Sequence, residues 1–349
     1  MFTNRMIRNL LVPVVLEQIL NSIMGTADTM MVSNVGSAAL SAVSLVDSIN
    51  VLLIQAFSAL AAGGAIVCAQ YIGQRNYEKA NMSARQVLFI ITAISVVVSA
   101  VCLIFQKPLL RLIFGAVDAD VMRASETYFF FTALSFPFIA AYDSAASIFR
   151  AQENTKGPMT ISMISNIMNI GGNAVLIWVF HLGVAGAAIS TLVSRIFCAV
   201  VVLWQLRKDR QPVVVKDYLK IRPDWSMIGR ILGLGIPSGI ENSMFQLGKL
   251  AIQSTVSTLG TAAIAAQAMT NILENLNGIA AIGVGVGLMT IVGQCLGAGR
   301  KDEAVYYIKK LCVIAEAVII VSCLIVYILV RPVTILGGME STVQKCAST

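Results

Sequence analysis

The sequence predicts an all-α integral membrane protein with two parallel-repeat helical lobes, one of six transmembrane helices and an incomplete one of about three. Three observations lead to this fold. The mean hydropathy is +0.80, with 57% hydrophobic and 12% charged residues, which excludes an ordinary soluble domain. Runs such as 87–105 and 311–330 supply the roughly 20 apolar residues that a bilayer crossing needs. The third observation is an internal duplication.

The duplication appears when the sequence is shifted by 224 positions. The shift aligns Pro13 with Pro237, Glu17 with Glu241, Gly63 with Gly287, Gln70 with Gln294, Gly73 with Gly297 and Pro108 with Pro332. One register without a gap over roughly a hundred residues indicates a repeat. Because an even number of helices separates the copies, both begin on the same side of the membrane and are parallel rather than inverted.

Nine hydrophobic helices are predicted, near 10–34, 46–71, 86–106, 127–149, 159–180, 184–206, 231–258, 271–296 and 311–330. They divide the chain into a first lobe (1–206), a polar cytoplasmic linker (207–230) and a partial second lobe (231–349). Residues 128–206 have no counterpart in the second lobe. We therefore expect a partial chain whose complete form carries further helices.

The net charge of +7 is explained by topology. Basic residues are concentrated before the first helix and after the second, fourth, sixth and eighth, whereas the connections 35–45, 181–183 and 259–270 contain no Lys or Arg. By the positive-inside rule the N-terminus is cytoplasmic. We expect a multi-pass protein of the plasma membrane, a monomer in contact with the lipid bilayer, and no nucleic-acid partner.

A set of polar residues is predicted to lie at one depth in the first lobe: Asp28 on the first helix, Asn169 and Asn173 on the fifth, and Thr191 on the sixth. A carboxylate inside a membrane costs about 2.5–3.5 kcal/mol unless it is hydrated, paired or bound to a cation. One interpretation is an acid hydrated near the headgroups. The other is a site for a coupling ion, sodium or a proton, which is the only ligand expected: neither a cofactor nor another metal is predicted.

Other intramembrane polar residues have either a substrate-binding or a structural role: Glu17, Asn21, Glu241 and Glu274. Glu17 and Asp28 are about 20° apart around the helix and so face one side. Since Glu17 is repeated as Glu241, a role in the shared architecture is favoured over contact with a substrate cation. Glu274 is a candidate partner of Lys249, for which Gln246 is the alternative. The seven cysteines form no C-x-x-C pair, which favours packing thiols over metal ligands.

Several motifs together resemble the multidrug and toxic compound extrusion (MATE) family of antiporters, namely residues 13–42, 70–75, 149–159, 183–191, 260–266 and 293–299. The resemblance covers essentially the whole chain. It implies twelve helices in two lobes around a cleft that opens alternately to the two sides. It also implies export of small organic, often cationic compounds against inflow of sodium or protons, with an ion site at the first-lobe positions named above. Many members carry an acid where this chain has Asn173, so sodium and protons both stay open.

Alternative functions receive less support from the residues. A flippase of lipid-linked saccharides would be expected to line its cavity with Arg and Lys, and the predicted helices contain almost none. A scaffold or receptor would have no use for the duplicated lobes and the polar set at one depth. An inactive membrane fragment is a further alternative. An enzyme is not expected, because no nucleophile–base set is present.

The topology is tested by labelling cysteines in a variant that lacks the native ones. We expect Ser37→Cys to react with a membrane-impermeant maleimide in intact cells, and Ser226→Cys to react only after permeabilisation, because 207–230 is predicted to be cytoplasmic. Labelling of Ser226→Cys in intact cells, with Ser37→Cys silent, would reverse the orientation.

Overall fold

The computed structural model describes residues 2–114, 118–208, 211–216, 218, 222–257 and 261–336. Within them the chain is all-α, as predicted. The helices are α1 (Asn4–Ser33), α2 (Ser37–Gly73), α3 (Tyr77–Ile104), α4 (Gln106–Phe114), α5 (Ala119–Leu134), α6 (Phe136–Ala151), α7 (Lys156–Ala174), a π-helical turn (Val175–Val179), α8 (Gly183–Leu206), α9 (Trp225–Ser257), α10 (Thr261–Gly297) and α11 (Lys301–Leu336).

These helices account for the predicted membrane spans. By length and composition α1, α2, α3, α7 with its π-helical turn, and α8 can each cross a membrane, and α5 with α6 forms a sixth span bent by 42°. The three helices α9, α10 and α11 contain 33, 37 and 36 residues, more than a crossing requires. The all-α fold is therefore confirmed, and the number of long helices agrees roughly with the predicted number of spans.

Several predicted helix boundaries are wrong. The stretches 35–45 and 259–270 were predicted to be connections, but α2 begins at Ser37 and α10 at Thr261. Both stretches are rich in Ala, with Ser in the first and Thr in the second, which lower the hydropathy although Ala favours a helix. In α2 the small side chains of Ala39 and Ala42 are buried, so packing rather than contact with lipid explains this turn of helix.

The predicted fourth helix, 127–149, is in fact two helices that meet at Ser135. The Ser135 hydroxyl donates to the carbonyl of Thr132 at 2.6 Å, and Pro137 follows in the first turn of α6. Proline has no N–H to continue the ladder of helical hydrogen bonds, which explains the bend. The short helix α4, most of which lies in the predicted connection 107–126, was not predicted.

The helix boundaries repeat with the duplication. α2 ends at Gly73 and α10 at Gly297, which is the 224-residue offset. The two copies of the repeat thus fold into the same succession of helices.

The two lobes meet where α2 crosses α10, and the repeat partners make the same contact twice. A Cβ atom on Gly73 would overlap the carbonyl oxygen of Gln294, and one on Gly297 would overlap the carbonyl oxygen of Gln70. Only glycine permits helices to approach this closely. Because the pairs are related by the repeat, a pseudo-two-fold axis passes between the helices, as parallel repeats require.

Further contacts join the lobes at the end that carries the N-terminus. The backbone N–H of Phe2 donates to the hydroxyl of Tyr307 on α11 at 2.8 Å, and that hydroxyl donates to the carbonyl of Phe2 at 2.8 Å. Lys310 donates to Asn4 at 2.7 Å. The lobes are therefore closed against each other at this end.

The segment between the lobes packs on the first lobe. The amide of Gln86 on α3 donates to the carbonyl of Arg222 at 2.7 Å and accepts from the N–H of Asp224 at 3.2 Å. The Asp224 carboxylate accepts from the N–H groups of Ser226 and Met227 and so caps α9. This cap explains why α9 begins at Trp225, within the stretch 207–230 predicted as linker.

The crossing of α2 and α10 is tested by Gly73→Ala. We expect the added methyl to push the helices apart and to lower the free energy of unfolding by about 1–3 kcal/mol. The control is Gly25→Ala on α1, where no atom lies within 4 Å of the added Cβ. Thermal unfolding of the purified variants in detergent measures both. A Gly73→Ala protein as stable as the Gly25→Ala protein would contradict the close crossing.

Candidate functional site

The structure brings the four residues of the predicted ion site into contact. Asp28 lies near the end of α1, and its Oδ1 accepts a hydrogen bond from Asn173 Nδ2 on α7 at 2.6 Å. With its amide nitrogen toward Asp28, Asn169 donates to the same Oδ1 at 2.8 Å and accepts from the Thr191 hydroxyl of α8 at 3.2 Å. Two amides of α7 thus contact the carboxylate of α1, and α8 joins the site through the contact of Thr191 with Asn169.

The site is shielded but not fully satisfied. Asn169 and Asn173 are each 1% exposed, and Asp28 is half-buried. Asn173 Oδ1 is buried and has no hydrogen-bond partner among the residues described by the structure. A carboxylate, amide oxygens and a hydroxyl are ligands that a hard cation prefers, and the carboxylate alone suffices for a proton. The arrangement can therefore hold one monovalent cation or one proton.

The site depends on a close approach of α7 and α8. A Cβ on Gly172 would overlap the Ser190 hydroxyl, so glycine is needed beside Asn173. The Ser190 hydroxyl donates to the backbone carbonyl of Asn169 at 2.8 Å. The π-helical turn begins at Val175, directly after the site, and such turns are frequent at functional sites because they interrupt the regular helical register.

Asn21 and Asn166 tie α1 to α7 one step away from the ion site. Asn21 Oδ1 accepts from the Ser162 hydroxyl and from Asn166 Nδ2, each at 3.0 Å. Asn166 shares a helix face with Asn169 and Asn173, as the sequence spacing predicts, but its amide bonds to Asn21 and not to Asp28. The geometry gives Asn21 a structural partner on α7.

Glu17 forms a buried ion pair with a residue that the sequence analysis placed outside the helices. Its carboxylate, 2% exposed, accepts from Arg150 Nη2 at 3.0 and 3.1 Å and from the Tyr142 hydroxyl at 3.1 Å. Arg150 was predicted to follow the fourth helix, but it lies in the last turn of α6. A glutamate at this depth needs a counter-charge, which explains why the side chain of the arginine is buried beside it. The prediction that the helices contain almost no basic residues therefore missed this arginine.

The repeat partner of Glu17 has a different environment. Glu241 on α9 is exposed, whereas Glu17 is buried. Lys249 pairs with Glu274 at 2.9 Å, the first of the two partners considered from the sequence. The Lys249 ammonium also lies 5.2 Å from the ring centre of Phe245. Both members of this pair are partly exposed, so it is a weak contributor to stability.

Asp47 is a further carboxylate of the first lobe, and it was not among the predicted site residues. Asp47 Oδ1, on α2, accepts from the Tyr128 hydroxyl and from Asn50 Nδ2, each at 3.2 Å. The negative charges of Asp47 and Asp28 repel each other electrostatically. The positive charge of Arg195 on α8 attracts both. Since the second helix was predicted to begin at 46, Asp47 fell at its end, where an acid needs no special explanation. Its depth follows only from the true start of α2.

A cavity of about 480 Å³ lies between the lobes. Small and apolar side chains of α2 and α10 form much of its wall, and its polar lining residues include Gln18, Gln55, Asp143, Arg150, Asn242 and Gln246. A mostly apolar cavity with a few polar groups is suited to organic compounds. Thr290 on α10 bounds it and donates to the carbonyl of Arg150 at 3.2 Å, so the cavity ends where the lobes meet.

Comparison with known proteins agrees with this architecture. The MatE family model matches residues 13–175 and 237–349. The "Probable multidrug resistance protein YoeA" of Bacillus subtilis is 27% identical over 302 residues, covering 84% of this chain and 64% of that protein. The "Probable multidrug resistance protein NorM" of Thermotoga maritima is 24% identical over 308 residues, covering 86% of this chain and 65% of that protein. The chain thus spans a little under two thirds of these relatives.

Solved structures share the fold. A MOP superfamily transporter from Pyrococcus furiosus matches with a TM-score of 0.91 at 18% identity, over 98% of this chain and 76% of the other. An outward-facing MATE family multidrug resistance transporter matches with a TM-score of 0.92 at 19% identity, over the same shares. The match of the family model to most of the sequence shows that the chain belongs to the MatE family, whose members are membrane transporters and not enzymes.

Proposed function

We propose that the protein exports small organic, often cationic compounds in exchange for inflow of a coupling cation, and that this cation binds at Asp28. The observation that carries the proposal is the contact of the Asp28 carboxylate with Asn169 and Asn173, in a half-buried position inside the first lobe. An acid in a membrane helix is a functional candidate when its partners are neutral, because its charge is then free to be neutralised by a cation.

The partners of Glu17 and Asp28 separate the roles of these two acids. Glu17 is paired with an arginine, so its charge is already balanced within the protein. Asp28 has amide partners, and the unpartnered Asn173 Oδ1 is an oxygen that a cation could use without breaking an existing hydrogen bond in the described part of the chain. The coupling site is therefore assigned to Asp28, Asn169, Asn173 and Thr191, and Glu17 to the framework.

The coupling ion is sodium or a proton, and the same four residues serve either. Sodium would use the carboxylate together with the amide and hydroxyl oxygens, whereas a proton would use the carboxylate alone. Separate ion gradients distinguish the two. The relatives YoeA and NorM are both named probable multidrug resistance proteins. These names support organic compounds as the exported class.

The proposal is tested by Asp28→Asn. This change keeps the shape of the side chain and removes its charge, so we expect export of ethidium to fall by tenfold or more, on the order of the effect of losing a charged partner. Efflux is measured in energised vesicles that contain the protein produced from its own gene, with sodium and pH gradients imposed separately. Asn169→Ala and Asn173→Ala should reduce export less, because each removes a neutral ligand.

The matched control is Asp118→Asn, an acid exposed at the N-terminus of α5, outside the membrane spans. It should export ethidium at the normal rate. Export by Asp28→Asn at the normal rate and with the same ion dependence would show that Asp28 is a boundary charge and that the site is wrong.

A different outcome is expected for Glu17→Gln. Removal of one partner from a buried ion pair leaves Arg150 without its counter-charge and costs about 3–5 kcal/mol. We expect a lower thermal unfolding temperature and a smaller amount of folded protein, while the remaining transport keeps its normal ion dependence. Loss of ion dependence at normal stability would move Glu17 into the coupling site.

A further inference from the structure

A carboxylate that the ion site does not use faces the cleft. Asp47 lines a cavity of about 360 Å³, and the other lining residues are Thr29, Ser44, Ser48, Val51, Leu52 and Gln246. Gln246, on α9 of the second lobe, also lines the larger cavity between the lobes. The Asp47 cavity therefore adjoins the central cavity and has walls from both lobes.

Asp47 has no ion-pair partner within 4 Å among the described residues. Its hydrogen bonds come from neutral groups, Tyr128 and Asn50, and both go to Oδ1. Arg195 acts on Asp47 only from a greater distance, and its guanidinium donates to the Ser135 hydroxyl at 2.7 Å. Asn50 is 3% exposed, and its Oδ1 has no partner in the described part of the chain. A carboxylate that lines a cavity and has no ion-pair partner in the described part of the chain favours a positively charged occupant.

We propose that Thr29, Ser44, Asp47, Ser48 and Gln246, here called the Asp47 subsite, bind the positively charged group of the exported compound. This inference deepens the proposed function and rests on it for the identity of the ligand as an exported organic cation. The charged group meets the Asp47 carboxylate, the hydroxyls of Thr29, Ser44 and Ser48 surround it, and the bulk of the compound lies in the central cavity.

The position of the Asp47 subsite explains why binding of the organic cation weakens binding of the coupling ion, and the reverse. Asp47 and Asp28 interact electrostatically, so each negative charge strengthens the attraction of a cation to the other. An organic cation at Asp47 offsets that charge and weakens cation binding at Asp28. By thermodynamic reciprocity, a cation at Asp28 weakens the binding of the organic cation to the same extent. Mutual weakening is what exchange in opposite directions requires.

The test is equilibrium binding of ethidium to the purified protein in nanodiscs, followed by fluorescence anisotropy. We expect Asp47→Asn to weaken ethidium binding by about tenfold or more, since it removes the charge that meets the ligand. Asp28→Asn, which imitates a neutralised ion site, should weaken it by a smaller factor. In that variant added sodium or protons should no longer change the affinity. Binding of Nile red, an uncharged dye, should be the same in all variants.

Two further variants separate binding from folding. Ser48→Lys places a positive charge in the Asp47 subsite at an exposed position and leaves the hydrogen bonds of Asp47 in place, so it should weaken ethidium binding as strongly as Asp47→Asn. Asp47→Glu keeps the charge and should restore most of the affinity. The matched control is Asp143→Asn, which removes an acid from the larger cavity and should have the smaller effect.

The outcomes are distinguishable. Unchanged ethidium affinity in both Asp47→Asn and Ser48→Lys would overturn the proposal, and so would a loss confined to Asp143→Asn, which would place the charged group in the larger cavity. If Asp47→Asn and Ser48→Lys lose affinity while neither sodium nor protons affect the wild-type protein, the Asp47 subsite stands and the proposed ion exchange fails.

Discussion

Charged groups inside a membrane must be satisfied by the protein itself, and this constraint organises the first lobe. Glu17 meets it through an ion pair with Arg150, which fixes α1 against α6. Asp28 meets it through amides of α7, and Asp47 through a tyrosine of α5. In an ion pair the charge of the carboxylate is already balanced. A carboxylate that is hydrogen-bonded only to neutral groups can still bind a cation. The same constraint thus produces one framework contact and two candidate binding groups.

The helix crossings place these groups around a shared space. Because Gly73 and Gly297 let α2 and α10 pack backbone against backbone, the lobes close at the end that carries the N-terminus. Asp47 lies on α2, so the helix that forms the crossing also carries a carboxylate of the cleft. Arg150 links both regions, since its carbonyl accepts from Thr290 of the second lobe and its side chain pairs with Glu17. A change in the packing of the lobes would therefore alter the contacts of α1.

Much of this arrangement could be predicted from the sequence, and the exceptions have physical causes. Hydropathy and the repeat register predicted nine spans and two lobes, and depth counting brought Asp28, Asn169, Asn173 and Thr191 together. Hydropathy failed where Ala and Ser form helix by packing, as in the first turns of α2, and this hid Asp47. The distribution of basic residues also led to a wrong position for Arg150, in a connection. Its burial depends on Glu17, which is distant in sequence and adjacent only in the fold.

Displacement of the coupling ion by an organic cation, and the reverse, follows from this arrangement. It is tested most directly by adding ethidium to concentrated wild-type protein in weakly buffered nanodiscs and recording released protons and sodium with selective electrodes. We expect release of one ion, either a proton or a sodium ion, for each ethidium bound, and no release from Asp28→Asn. Ethidium binding to the wild-type protein without release of either ion would contradict it.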